Sequence, residues 1–242
     1  MKIRKIIALA AAMFVASQAG ATTINGSGLQ NGLNNNTYNG DFRDVNTGQA
    51  EADQVFQVID GAGSIPSVIL FEFAGFRNLN SFGIYDIYNA DNRLEVYSGP
   101  DSAGFGSLRF DTLANGNLFT VDALNPFAAP QSAFFTTSAF GFYLDGPQGP
   151  FFSQAGRNGG YDQLVGFQGN GTEVVENGFG FGDLLTADEY ILAFEDLRLP
   201  GGDRDYSDFV VRVRNVQGIP APAPLALLGL GLIGLGFARK RA

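Results

Sequence analysis

Cysteine, histidine and tryptophan are absent from this sequence of 242 residues, and methionine occurs only twice. Without cysteine there are no disulfide bonds and no thiol nucleophile, and without histidine there is no Ser-His-Asp triad. Zinc sites built on cysteine or histidine are excluded by the same two absences. A hard cation held by oxygen ligands is the class of metal that the composition leaves open.

Lysine is absent from residues 22–220, although every acidic residue of the sequence falls in this range. The 24 acidic residues are opposed there by 9 arginines, which gives a net charge of −15. Such a surface is repelled by nucleic acid and by anionic membranes and attracts cations, so we expect no nucleic-acid partner. The missing lysine also excludes a Walker A motif from this range.

The first 21 residues have the three parts of a secretory signal peptide. A basic start, MKIRK, precedes the apolar run IIALAAAMFVA, and AGA follows at residues 19–21. Ala19 and Ala21 are the small residues of an A-x-A cleavage site. An uncleaved anchor helix is the alternative, but the apolar run is short and the cleavage site is good. We therefore predict export by the Sec translocon and removal of residues 1–21 by signal peptidase.

Residues 218–242 combine a proline-rich break, an apolar run and a basic end. The apolar run, residues 225–238, is shorter than the roughly 18 residues expected of a spanning helix, although residues 221–224 can extend it. A buried core helix is the alternative, and the many glycines and the basic end argue against it. Because cationic flanks resist translocation, the basic residues 239–241 are expected to stay in the cytoplasm. The tail would then hold the exported protein in the inner membrane.

The segment PAPAPLALLGLGLIGLGFARKRA, residues 220–242, resembles the PEP-CTERM tail of Gram-negative bacteria. In that family an exosortase, a membrane transpeptidase, recognises a Pro-Glu-Pro motif, a short apolar helix and an arginine-rich end, and removes the tail during surface sorting. The motif here is a Pro-Ala-Pro variant. The resemblance implies a cell-surface or extracellular location, associated with exopolysaccharide and biofilm. The matching motif and basic-end residues are Pro220, Ala221, Pro222, Arg239, Lys240 and Arg241.

Between these two ends, short runs of β-branched and aromatic residues alternate with turn residues from about residue 50. Residues 22–49 are rich in asparagine and glycine, and they predict a flexible lead-in. Residues 50–217 predict an all-β fold, a single β-sandwich or jelly-roll-like domain with a phenylalanine-rich core. The predicted strands are 54–59, 67–73, 82–88, 93–98, 107–113, 117–122, 139–145, 151–154, 163–168, 189–196 and 208–216.

The last predicted strand shows the clearest alternation of faces. Phe209, Val211 and Val213 share one face, and Val210, Arg212 and Arg214 share the other. We expect the first set to face the core.

A small acidic cluster occurs earlier, in YNADNRLEVYSGPDSAG. Its members are Asp86, Asp91, Glu95 and Asp101. The pair Asp91-Asn92 is typical of a hairpin turn between two strands, so we interpret this cluster as ordinary turn chemistry.

The stretch PGGDRDYSDF, residues 200–209, brings Asp203, Asp205 and Asp208 into six residues. Glu195 and Asp196 precede it, and a D-x-D spacing in an irregular loop lets carboxylates converge on one point. Ca²⁺ takes six to eight oxygen ligands in flexible geometry, so the five carboxylates predict a calcium site. The glycine and glutamate that an EF-hand needs are missing from their positions.

The alternative for this loop is a solvated acidic turn. Aspartate side chains would then cap backbone amides, and Arg198 and Arg204 would neutralise their neighbours. Spacing alone leaves both interpretations open. We expect Tyr206 to face the core or to cap the loop.

The segment YILAFEDLRLPGGDRDYSDFVVRV is similar to the end of the DUF4114 family, a β-rich domain of bacterial surface and secreted proteins. The segment FGFYLDGPQGPFFSQAGRNGGYDQLVGFQG resembles the middle of that family, so the resemblance covers residues 140–214. No established activity comes with it, and it adds support to a structural-cation role. The residues that match its acidic blocks are Glu195, Asp196, Asp203, Asp205, Tyr206 and Asp208.

These features favour an exported, non-enzymatic surface or matrix protein, stabilised by calcium. The alternatives are a carbohydrate-binding module and a carbohydrate-active enzyme on a jelly-roll scaffold. Paired carboxylates could serve such an enzyme as acid and base, but no spacing singles out a pair, and no G-x-S-x-G motif is present. We therefore expect no enzymatic activity.

Overall fold

The structure is a computed structural model, and its described residues all fall in one compact unit, Gly20–Pro220. It describes residues 21–59, 64–71, 79–98, 105–113, 116–122 and 131–219. The helices are α1 (Gly28–Asn35) and a 3-10 helix (Ala155–Asn158). The strands are β1 (Phe56–Val58), β2 (Ser64–Phe71), β3 (Ser81–Asp86), β4 (Asn89–Tyr97), β5 (Phe105–Leu113), β6 (Gly116–Asp122), β7 (Gln131–Phe135), β8 (Ala139–Gly146), β9 (Gly149–Phe152), β10 (Leu164–Gln168), β11 (Val174–Glu176), β12 (Gly182–Leu184), β13 (Glu189–Phe194), β14 (Phe209–Arg214) and β15 (Val216–Gly218).

The strands form two large antiparallel sheets and one small one. The first sheet has the order β15-β1-β8-β3-β4, with β9 paired to β8. The second has the order β10-β13-β14-β2-β5-β6-β7, and β11 pairs with β12 in a separate two-stranded sheet. The all-β expectation is therefore confirmed.

The two large sheets share an apolar core rich in phenylalanine. Phe82 of the first sheet stacks on Phe142 of the same sheet, with ring centroids 5.5 Å apart. It also stacks on Phe209 of the second sheet at 5.2 Å, so this ring joins the two sheets. Buried aromatic pairs in these geometries add to the energy of area burial, which explains the use of so many phenylalanines.

A second core covers the opposite face of the larger sheet, and it contains residues from the N-terminal segment. Leu29 and Leu33 of α1 are fully buried there, and Phe42 packs edge-on against Phe167 of β10. Residues 22–49 therefore differ from the flexible lead-in that their composition predicts. The few apolar residues among the asparagines and glycines are enough to anchor the segment, because each is buried against the sheet.

All eleven predicted strands are present, with ends shifted by up to four residues. Four strands were not predicted, namely β7, β11, β12 and β15, three of which are only three residues long. The predicted hairpin turn at Asp91-Asn92 is wrong, because both residues lie within β4 and the turn falls at Ile87-Tyr88. Asp86 pairs with Asn89 across that turn.

Both faces of β14 are buried. Phe209, Val211 and Val213 face the core between the sheets, as the alternation predicts, whereas Val210 packs in the second core. Arg212 shares the face of Val210 and is fully buried.

The segments predicted to direct export and sorting lie almost entirely outside the described residues. These include Ala19 of the cleavage site and all of the proline motif and basic end at residues 220–222 and 239–241. Ala21 is described and exposed. Within the described ranges, none of the helices has the length and hydrophobicity that a membrane span requires.

Candidate cation site

The five predicted ligands lie on and beside the loop that joins β13 to β14. Phe194 and Phe209 are the last residues paired between these strands, so Glu195 and Asp208 emerge opposite each other. The backbone N–H of Asp196 donates to Oδ2 of Asp208 at 2.9 Å, which holds the two ends of the loop together. Antiparallel pairing thus brings carboxylates from distant positions of the loop to one sheet end.

Gln163, which is buried, holds the first half of the loop in shape. Its Nε2 donates to the backbone oxygens of Glu195 at 3.0 Å and Leu197 at 2.9 Å. Its Oε1 accepts from the backbone N–H of Leu199 at 3.0 Å. The irregular loop has no strand partner for these three backbone groups, and the single side chain of Gln163 supplies their hydrogen bonds.

The second half of the loop is anchored from two directions. Arg204 and Tyr206 have φ angles of 61° and 51°, in the left-handed region that costs non-glycine residues energy. Asn25 of the N-terminal segment holds this part of the loop in place. Its Nδ2 donates to the Asp203 backbone oxygen at 2.7 Å, and its backbone N–H donates to the Arg204 backbone oxygen at 2.9 Å. Tyr206 is fully buried, and its hydroxyl donates to the Asp162 backbone oxygen at 2.6 Å, which confirms the expected inward orientation.

The carboxylates form two overlapping groups. Glu195, Asp203 and Asp205 each offer an oxygen within 4.8 Å of the others in the first group. Glu195 offers one again in the second group, with Asp196 and Asp208. In the part of the chain that the structure describes, none of the five makes an ion pair.

Hydrogen bonds satisfy some of these carboxylates and leave one buried oxygen without a partner among the described residues. Oδ1 of Asp205 accepts from the N–H and hydroxyl of Ser207, and Oδ2 of Asp196 accepts from Asn80 at 2.9 Å. Oε1 of Glu195 accepts from the Leu197 N–H at 3.2 Å. Oε2 of Glu195 is buried and has no partner among the described residues, although the whole side chain is inaccessible to solvent.

The protonation equilibria of the cluster reflect this crowding. Burial, together with repulsion from Asp208 and Asp203, raises the pKa of Glu195 to about 8. Burial, and repulsion from Asp196 and Asp205, raises the pKa of Asp208 to about 7. The pKa of Asp196 is also raised, chiefly by burial. A bound divalent cation reverses this effect, because it stabilises the ionised carboxylates.

The alternative of a solvated acidic turn explains only part of this arrangement. Asp205 does cap a backbone amide, as that interpretation predicts. Arg198 does not neutralise the cluster, because its Nη2 donates to the Gln148 backbone oxygen and its guanidinium lies over the ring of Phe151. A buried carboxylate oxygen without a partner, as on Glu195, is costly and is not expected of a solvated turn.

The three described members of the smaller acidic cluster do not converge on a point. Asp86 is buried and accepts from the N–H and hydroxyl of Thr136 and from the Tyr88 N–H, which is structural turn chemistry. Asp91 and Glu95 are exposed on β4. Asp101 lies outside the described residues.

Three residues that shape the site were not predicted from the sequence: Asn25, Asn80 and Gln163. Each acts on the loop from a position that is distant in the sequence, between 32 and 178 residues away. The local sequence does not reveal such a contact, because an isolated asparagine or glutamine that supports a distant loop has the same sequence surroundings as one in an ordinary surface turn.

A second pair of acids, the buried Asp53 and the half-buried Asp162, lies beside Tyr206, whose hydroxyl donates to the Asp162 backbone oxygen. Oδ2 of Asp53 accepts from the Gly166 N–H at 3.0 Å, and Oδ2 of Asp162 accepts from the Thr22 hydroxyl at 2.9 Å. The remaining oxygen of each aspartate is buried without a partner in the described residues. Burial and repulsion from Asp162 raise the pKa of Asp53 to about 8, and burial raises the pKa of Asp162 to about 6.

Asp53→Asn is expected to stabilise the protein at pH 8. Because the folded state holds protons on this pair more tightly than the unfolded state, stability falls as pH rises from about 4 to about 8. The asparagine keeps an acceptor for the Gly166 N–H and offers its NH₂ group to Asp162. Urea unfolding of the full chain between pH 5 and pH 8 measures the effect, and a variant with undiminished pH dependence would contradict it.

Residues 111–215 match the model of a family described as a domain of unknown function, DUF4114. The match covers the loop with all five carboxylates and confirms the resemblance that the sequence shows at residues 140–214. No curated protein and no solved structure matches the chain. The family description names no activity, so the chemistry of the site has to be argued from its geometry.

Proposed function

We propose that this protein is an exported, non-enzymatic cell-surface or extracellular-matrix protein whose β domain is stabilised by Ca²⁺ at the loop between β13 and β14. The observation that carries the proposal is Oε2 of Glu195, a buried carboxylate oxygen without a hydrogen-bond partner among the described residues, on a side chain that belongs to both groups of carboxylates. A cation supplies the partner that this oxygen lacks.

Calcium fits the donor set better than the other common metals. All the donors are oxygens, the loop is irregular, and it ends on two rigid strands, which suits the flexible coordination of Ca²⁺. Extracellular calcium modules bind with dissociation constants of about 10⁻⁴–10⁻³ M, so a partly exposed site is adequate outside the cell. Asp203 is exposed and Asp205 half-buried, which leaves the site open to ions from solvent.

Export and sorting are part of the proposal and rest on the sequence of the two ends. The signal peptide would direct the chain through the Sec translocon, and the tail would hold it in the inner membrane until an exosortase-type transpeptidase removes it. The acidic body would then be released to the surface or to extracellular polysaccharide. Ca²⁺ outside the cell would order the loop after export.

The proposal predicts that calcium raises the melting temperature of the full chain and that EGTA lowers it. At 100-fold excess over the dissociation constant, binding contributes about 2.7 kcal/mol. Asp203→Asn combined with Asp205→Asn is expected to reduce the response, because two of the five predicted ligands lose their charge. Asp91→Asn, on an exposed aspartate of β4 that belongs to neither carboxylate group, is the matched control. Equal melting temperatures with and without calcium would contradict the proposal.

Carbohydrate binding is a second candidate, favoured by exposed aromatic side chains next to the β11–β12 hairpin. Phe179 and Phe181 are each 69 % exposed, and Tyr38 is 55 % exposed. The Tyr38 hydroxyl donates to Glu176, which also accepts from two backbone N–H groups of the hairpin loop. Exposed apolar groups that cluster in this way mark interaction sites.

Phe179→Ala combined with Phe181→Ala is expected to weaken retention in gels that contain soluble polysaccharide. Tyr88→Ala, which removes an exposed ring from a different hairpin, is the control and should leave retention unchanged. Retention that is insensitive to both variants would remove this candidate. Release of new reducing ends in the same mixtures would instead point to a carbohydrate-active enzyme.

A further inference from the structure

We infer that the loop holds two cations, not one, and that Glu195 bridges them; this inference rests on the proposed calcium function. One ion lies among Glu195, Asp203 and Asp205, and the other among Glu195, Asp196 and Asp208. We call them the outer ion and the inner ion.

The first step is a limit set by coordination geometry. Ca²⁺–oxygen distances are about 2.3–2.6 Å, so two oxygens on the same ion lie at most about 5 Å apart. Each group of three carboxylates satisfies this limit, with all ligand atoms within 4.8 Å of one another. Among the described residues no larger set of carboxylates does so. The five carboxylates therefore divide into two coordination sets that have only Glu195 in common.

The second step is the state of the shared residue. Glu195 is fully buried, and its Oε1 accepts a single backbone N–H while its Oε2 has no partner. Because Oε2 accepts no hydrogen bond from the described residues and Oε1 accepts only one, each of the two oxygens is able to ligate a separate ion. Gly202 leaves room for this side chain, because a Cβ at that position would lie 2.9 Å from Oε1 of Glu195.

The third step is charge. When all five carboxylates are ionised, as ligation of cations requires, they carry five negative charges, and among the described residues no basic side chain forms an ion pair with them. One divalent cation neutralises fewer than half of these charges, whereas two leave a single excess charge. Because unneutralised charges are most costly where water is excluded, the buried members of the cluster favour the second ion.

The two ions should differ in how readily they exchange. The inner set includes Glu195 and Asp196, both buried, and Asp196 is oriented by Asn80, which is also buried. The outer set includes Asp203, which is exposed, and Asp205, whose Oδ1 already accepts two hydrogen bonds from Ser207. We therefore expect the inner ion to bind first and to leave last.

The stoichiometry of Ca²⁺ binding to the full chain tests this inference. Equilibrium dialysis against CaCl₂ should give two ions per chain, with the weaker one removed first as the free calcium is lowered. Asp203→Asn combined with Asp205→Asn should leave one ion, and Asp196→Asn combined with Asp208→Asn should also leave one. Glu195→Gln should abolish or weaken both. Asp91→Asn, outside the loop, should retain two.

The outcomes separate this inference from the proposed function. One ion per wild-type chain overturns the two-ion inference and leaves calcium stabilisation standing. No bound calcium overturns both. Asparagine is close in size to aspartate, and far-UV circular dichroism in EGTA identifies any variant that fails to fold. If a double variant fails to fold, its two single variants are measured instead, and each of them should weaken only one of the two binding steps. Loss of both steps in either single variant would contradict separate ions.

Discussion

Arg212→Met is expected to lower the free energy of unfolding by about 3–5 kcal/mol, because it removes one partner of a buried ion pair. Arg212 is fully buried on β14, and its guanidinium forms ion pairs with Glu189 and Asp183. It also donates to the backbone oxygens of Val175, Glu176 and Leu184, which hold the β11–β12 hairpin against the sheet. Its loss removes the fully buried one of the two arginines that pair with Glu189, and it leaves three carbonyl groups without this donor.

Arg214→Met is the matched control for this variant. Arg214 lies two residues along the same strand and also pairs with Asp183 and Glu189, but its side chain is 28 % exposed. Ion pairs near the surface contribute at most about 1 kcal/mol, so the control should be mild. Urea unfolding followed by circular dichroism measures both. Equal losses from the two variants would show that burial of Arg212 does not decide its contribution.

A double variant separates the ion pair from simple packing. In Arg212→Met combined with Glu189→Leu, the buried carboxylate is removed together with its partner, so part of the stability should return. Losses that simply add would mean that the two side chains do not interact.

Glu195→Gln is expected to have opposite effects with and without calcium. In EGTA at a pH above about 8, where Glu195 is ionised, it should raise the melting temperature, because it removes a buried charge that the neighbouring carboxylates repel. In saturating calcium it should lower the melting temperature relative to wild type, because the shared ligand is lost. A loss of about 2.7 kcal/mol of binding energy corresponds to roughly 5–10 °C for a protein of this size.

The opposite shifts of the melting temperature in EGTA and in calcium distinguish a cation site from a structural acidic turn. If Glu195 served only the turn, the substitution would act in the same direction in both buffers. Glu173→Gln is a suitable control, because Glu173 pairs with Arg43 and lies outside the cluster. Its effect should be a loss of stability that does not depend on calcium. A Glu195→Gln variant that loses stability equally in both buffers would contradict the cation site.

Much of the β architecture is predictable from local sequence. The eleven predicted strands are present because period-two alternation and turn residues are local signals, and Phe209, Val211 and Val213 face the core as that alternation requires. The strands that were not predicted are mostly three residues long and have little pattern to detect. Asp91-Asn92 was misplaced because the chain turns earlier, at Ile87-Tyr88, and the dipeptide lies in β4 where the register with β3 shifts, between the pairs Asp86–Asn89 and Tyr85–Arg93.

The order of the N-terminal segment, in contrast, is not predictable from local sequence. Its composition resembles a disordered linker, yet Leu29 and Leu33 are buried against the larger sheet. The surface that covers them comes from strands far along the chain, so no window of sequence contains the information. The same holds for Arg212, which alternation places on the outer face of β14 and which the β11–β12 hairpin then covers.

By itself the sequence determined the chemistry that is open to this protein. Without cysteine and histidine only oxygen ligands remain, and the five acidic residues of one loop are adjacent enough to be recognised as a candidate site. The tertiary structure decided how those carboxylates are arranged. Strand pairing brings Glu195 opposite Asp208, and packing leaves one Glu195 oxygen buried without a partner. Burial and long-range contacts depend on the whole fold, and they arrange the cluster as two groups of carboxylates that share one residue.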